Sequence, residues 1–97
     1  SKELRQLRAL AHKLRPVVTV AGKGLSSTVL EELDRALNDH ELIKVKVAVG
    51  DRVQRESVIA EVCERSSAVL VQRIGNIATL LRANPQADPK KSNLHRY

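Results

Sequence analysis

Ninety-seven residues suffice for one domain with a single modest core, and they are too few for two. Apolar residues at 42% and charged residues at 29% give the balance of an ordinary globule and argue against a disordered or membrane-embedded chain. The lone cysteine, Cys63, excludes an internal disulfide and any zinc site built on two cysteines of one chain.

No apolar run approaches the roughly 20 residues needed to cross a bilayer, and the opening Ser1-Lys2-Glu3-Leu4-Arg5 lacks the apolar core of a signal peptide. The expected location is therefore the cytoplasm. The net charge of +6 is unevenly spread: residues 1–24 hold six bases against Glu3, and residues 67–97 hold five against Asp88. Residues 25–40 are acidic and 41–66 neutral. Positive ends around a middle that is not positive suit a polyanion, because Lys and Arg clustered on phosphates release condensed counterions. A generally basic, solvated surface would carry the same charge.

Leu4, Leu7, Leu10, Ala11 and Leu14 recur at three- and four-residue spacing, which predicts an amphipathic helix over about 2–13, stopped by Pro16. The β-branched run Val17 to Val20 predicts a buried strand ending in a Gly22-Lys23-Gly24 turn. Ser26, Ser27 and Thr28 offer N-cap hydroxyls, and Thr28 with Glu31 has the spacing of a capping box. The helix that follows buries Val29, Leu30, Leu33, Ala36 and Leu37, turns Glu31, Glu32 and Asp34 outward, and is expected to break at Asn38-Asp39.

Ile43, Val45, Val47 and Val49 alternate with Lys44, Lys46 and Ala48, the period of a half-buried strand with both lysines on the opposite face. Asp51, with Gln54 three residues on, can cap a helix whose core stripe is Val58, Ile59, Val62 and Cys63 and which ends near Ser66-Ser67. Ala68 to Ile74 and Ile77 to Arg82 read as antiparallel strands joined by the two-residue turn Gly75-Asn76. The expected architecture is a single α/β domain over 1–83, α-β-α-β-α-β-β around a mixed four-stranded sheet. Residues 84–97, with two prolines, two lysines and little apolar content, predict a flexible basic tail.

Three features bear on function. Ala21-Gly22-Lys23-Gly24 lies between a strand and a capped helix, where small residues let a backbone approach phosphate and Lys23 adds a point charge. Two glycines also simply make a turn. The loop is too short for a Walker A motif and lacks the third glycine of a dinucleotide site. Secondly, Arg5, Arg8, Lys13 and Arg15, with Lys44 and Lys46, form one positive surface if the first helix packs beside the first strand. The third is an absence: there is no Phe or Trp, and only Tyr97 is aromatic, so base stacking cannot dominate binding. Backbone and shape recognition of folded or double-helical RNA is what remains.

His12, His40 and His95 share no metal-binding spacing, Cys63 falls on a core stripe, and no triad or carboxylate pair can be assembled, so no metal, cofactor, small-molecule substrate or catalysis is expected.

Leu14-Arg15-Pro16-Val17-Val18, the glycine loop with Leu25-Ser26, Val29-Leu30, and above all His40-Glu41-Leu42-Ile43-Lys44-Val45-Lys46 closely resemble the CRM domain, whose stand-alone bacterial form is the YhbY-like protein. The likeness covers about residues 3–82. It implies a fold similar to the C-terminal domain of a translation initiation factor, RNA binding, and association with precursors of the large ribosomal subunit. It further implies that Ala21, Gly22, Lys23 and Gly24 stand where the family carries a Gly-x-x-Gly backbone clamp. Alanine replaces the first glycine, which bears on any geometry there that requires positive φ. The competing reading is a protein-interaction module that docks a basic partner on the acidic face of Glu31, Glu32 and Asp34.

Overall fold

The computed structural model describes residues 2–22 and 24–94. Its elements follow the order α1 (Lys2–Ala11), β1 (Pro16–Ala21), α2 (Ser27–His40), β2 (Leu42–Ala48), α3 (Arg52–Ser66), β3 (Val69–Ile74) and β4 (Ile77–Leu81). The strands form one sheet in the order β1-β2-β4-β3, with β1 and β2 parallel and the other two pairings antiparallel. The anticipated α/β architecture with a mixed four-stranded sheet is the one found.

Side chains alternate across the sheet and sort its two faces. Val18, Val20, Ile43, Val45, Val47, Ala78 and Leu80 point to the face covered by α2 and α3, where Leu33, Leu37, Ile59 and Val62 complete the main core. Leu33 and Leu37 are wholly buried, and truncating a leucine in such a place costs about 2–5 kcal/mol. On the opposite face a smaller cluster of Ala11, Leu42 and Val71 is flanked by Leu4, Leu7, Leu10 and Leu14 of the α1 segment, with Leu81 and Leu94. The α1 stripe read from the sequence is therefore core, but it covers only the end of the sheet near Leu42.

Local details depart from expectation in three places. The cap of α2 is Ser26, whose hydroxyl accepts the Val29 N–H at 3.2 Å, in place of a Thr28–Glu31 box. The helix also runs through Asn38-Asp39 to His40, because the Asn38 side chain accepts from Arg82 and its carbonyl from Asn84. Most consequentially, residues 84–94 fold back on the body where composition suggested a free tail. Asn93 donates to the Leu42 carbonyl at 2.7 Å through its side chain and to the His40 carbonyl at 2.9 Å through its backbone. Residues 95–97, the end of that segment, lie outside the described residues. The Asp51–Gln54 capping box on α3 and the Gly75-Asn76 hairpin, with Ile74 opposite Ile77, match the sequence reading.

Candidate nucleic-acid interface

The alternation of β2 decides where its lysines go. Leu42 packs beneath α1, so Lys44 and Lys46, two and four residues on, share its side of the sheet. Lys44 is half-buried and lines a groove of about 540 Å3 between α1 and the sheet, together with Arg8, His12, Gln72 and Thr79. Arg5 is exposed one turn before Arg8 and outside that groove. Lys46 is exposed two residues further along β2, paired in register with Thr19 of β1 and Ile77 of β4.

Because β1 and β2 run parallel, the loops after them lie at one end of the sheet. Gly22 and Gly24 there line a shallow groove of about 320 Å3 with Gly50, Gln54 and Ser57 at the start of α3. The positive φ values fall on Gly22 (+59°) and Gly24 (+82°), whereas Ala21 continues β1 without one. Alanine at position 21 therefore carries no backbone penalty. A Cβ at Gly22 or Gly24 would meet nothing within 4 Å, so these positions need glycine for conformation and leave open space above the backbone. Lys23 lies outside the described residues.

Lys13 and Arg15, in the link from α1 to β1, border a third depression of about 440 Å3, shared with His40, Lys90, Lys91 and Asn93. The sequence reading left the last four out of the site. Nothing in the local sequence ties Lys90 to Lys13; only the fold-back of the C-terminal segment brings them together.

The acidic residues go elsewhere. Glu31, Glu32 and Asp34 are exposed on α2, in the layer behind the sheet. Asp34 is further committed to Arg82, its Oδ1 lying 3.0 Å from the guanidinium. The α1 side of the sheet thus presents Arg8, Lys44 and Lys46, the α2 layer presents these carboxylates, and the glycine groove lies apart from both, beside the start of α3.

Among the described residues no group of three or more His, Cys, Asp or Glu is placed to hold a metal, and no helix is long and apolar enough to cross a membrane. Cys63 packs against the main core, and burial raises its pKa above the ordinary thiol value, the opposite of what a nucleophile requires.

The family model of the CRS1/YhbY (CRM) domain matches residues 1–82. A Pseudomonas aeruginosa protein named a probable RNA-binding protein is 45% identical over 96 residues, covering 99% of this chain and 92% of its own. A Haemophilus influenzae protein named an RNA-binding protein is 45% identical over 87 residues, covering 90% and 88%. The solution structure of a Staphylococcus aureus protein described as a candidate RNA-binding protein superposes with a TM-score of 0.77 at 28% identity, over 90% of this chain and 91% of that one.

Proposed function

The chain belongs to the CRS1/YhbY (CRM) domain family, and from that premise we propose that it binds structured RNA through the phosphate backbone, its target being large-subunit ribosomal RNA during subunit assembly. The observation that carries the reading is the division of charge between layers. Lys44 and Lys46 share the sheet face on which α1 packs and Arg8 borders the same groove as Lys44, while the α2 carboxylates lie behind the sheet. A polyanion approaching the α1 side meets cations and little that repels it, while the two glycines lie apart from that groove, beside the start of α3. The lack of Phe and Trp leaves no stacking platform in the body, so contacts to phosphate and sugar supply affinity and helical shape supplies selectivity.

In this arrangement Arg5, Arg8, Lys13, Arg15, Lys44 and Lys46 contact phosphates, and Ala21, Gly22, Lys23 and Gly24 let the RNA backbone come close. The relatives' names support RNA as the partner; ribosomal RNA rests on the family resemblance. Two measurements test the reading. RNA affinity should fall steeply with salt, log K dropping by about 0.7–0.9 per tenfold salt for each phosphate neutralised, and RNA should outcompete duplex DNA. In cell extracts the protein should sediment with free large subunits or their precursors; recovery only in the soluble top fractions would refute the ribosomal part.

A further inference from the structure

The segment after β4 forms a strap, and its anchors are specific. The Asn84 backbone N–H and the Ser92 hydroxyl both donate to the carboxylate of Glu41, which is fully buried at the α2–β2 junction. The Lys91 carbonyl accepts from His40 Nδ1 at 2.7 Å, which fixes that nitrogen as the protonated one, since a carbonyl can only accept. Asn93 ties the far end to Leu42 and His40, and Leu94 joins the apolar cluster under α1. A turn centred on Asp88, whose side chain accepts the Lys90 N–H, sets the two lysines between these anchors.

The consequence is electrostatic. The hydrogen bonds that hold Lys90 and Lys91 use their backbone, and both residues line the depression that Lys13 and Arg15 also line. Four basic residues thus line one open depression of about 440 Å3, and among the described residues no carboxylate lines it. Like charges gathered on one depression repel one another unless an anion enters. The depression is large enough to admit a phosphate group, and Asn93 and His40 among its lining residues carry hydrogen-bonding side chains.

We propose that this pocket binds a backbone phosphate of the RNA and exists only while the C-terminal strap is docked, making residues 84–94 part of the binding domain. The inference rests on the RNA-binding reading and adds to it a site on the strap side, apart from the Arg8–Lys44 groove and the glycine loop.

The Lys90→Ala/Lys91→Ala double variant removes the charge and spares the backbone anchors, so it should fold as the parent does, as a proton–nitrogen correlation spectrum will show. Its RNA affinity should fall several-fold near 0.1 M salt, and the slope of log K against log salt should become shallower by about 0.7–0.9, the share of one phosphate. The Ser92→Ala/Asn93→Ala variant keeps every cation and loses the latch; it should lose affinity to a similar degree. Unchanged affinity and slope in the lysine variant, with the parent chain bound, overturns the pocket and leaves the α1-side reading intact. A parent chain that binds no RNA removes that reading instead, and titration with inorganic phosphate then decides the pocket alone. Shifts of the His40 and Asn93 signals that vanish in the lysine variant support a general anion site, and their absence overturns it.

Discussion

The Glu41 carboxylate accepts the Ser92 hydroxyl at 2.7 Å, across 51 positions of sequence, from a backbone held at φ +63°. A non-glycine residue in that half of φ space costs of the order of 1–3 kcal/mol, and a buried carboxylate costs more unless its oxygens are satisfied. Here both oxygens have donors, Ser92 on one and the Asn84 N–H on the other, and the Glu41 carbonyl accepts from Arg82 at 2.9 Å. The strain and burial of Glu41 are therefore the cost of fastening the strap to the α2–β2 junction.

Truncating that anchor should be expensive. Glu41→Ala removes the hydrogen bonds that the Ser92 hydroxyl and the Asn84 N–H make to its carboxylate, so urea unfolding should show a loss of about 2–4 kcal/mol. Glu41→Gln keeps the shape and one acceptor and should lose about half as much. A loss below about 0.5 kcal/mol in the alanine variant would mean that the carboxylate holds nothing.

The groove between α1 and the sheet makes a separate prediction. Arg8→Ala and Lys44→Ala should each make the salt dependence of RNA binding shallower by about 0.7–0.9, and the double variant by roughly their sum. Arg65→Ala serves as the control: its exposed guanidinium pairs with Glu61 on α3, behind the sheet, so its removal should leave the slope alone. An equal effect from all three would mean that net charge, and not the α1 face, sets affinity.

Elements whose signal is local were legible in the sequence. β2 could be read from strict alternation, and α1 from leucines at helical spacing, because burial on one side imposes the period directly. The insertion of β4 between β2 and β3 was not legible, since that order depends on long-range pairing such as Ile43 opposite Leu80. The strap was misread for a related reason. Two prolines and adjacent lysines have the composition of a disordered tail, and what holds the segment is a buried glutamate, a residue type rarely found wholly inside. The cation site was half visible for the same cause: Lys13 and Arg15 stood out as basic residues of the leading segment, while their neighbours Lys90, Lys91 and His40 arrive only through the fold.

Gly24→Ala separates conformation from contact in the glycine loop. Its Cβ would meet no atom of the protein, so the cost to stability comes from φ +82° alone, about 1–2 kcal/mol by thermal or urea unfolding. An RNA backbone pressed against the loop would meet the new methyl group. RNA affinity should therefore fall several-fold in protein that is still folded. The Lys23→Ala/Gly24→Ala pair should weaken binding further, and unchanged affinity in a gel-shift titration would remove the loop from the interface.

Cys63 should behave as packing, and its titration gives the claim a direction. Burial disfavours the thiolate, so the folded chain holds its thiol proton to a higher pH than the unfolded chain does. Above the ordinary thiol pKa the folded state binds more protons than the unfolded state, and stability must decline with rising pH there. The Cys63 contribution is thus complete below the unfolded-state pKa and disappears as pH climbs through the folded one. Cys63→Ala should abolish that alkaline decline, at a loss of order 1 kcal/mol near neutrality from its contact with the main core. Alkylation by iodoacetamide provides the check: at pH 7–8 the native chain should react much more slowly than the same chain in urea, and equal rates would place the thiol outside the core.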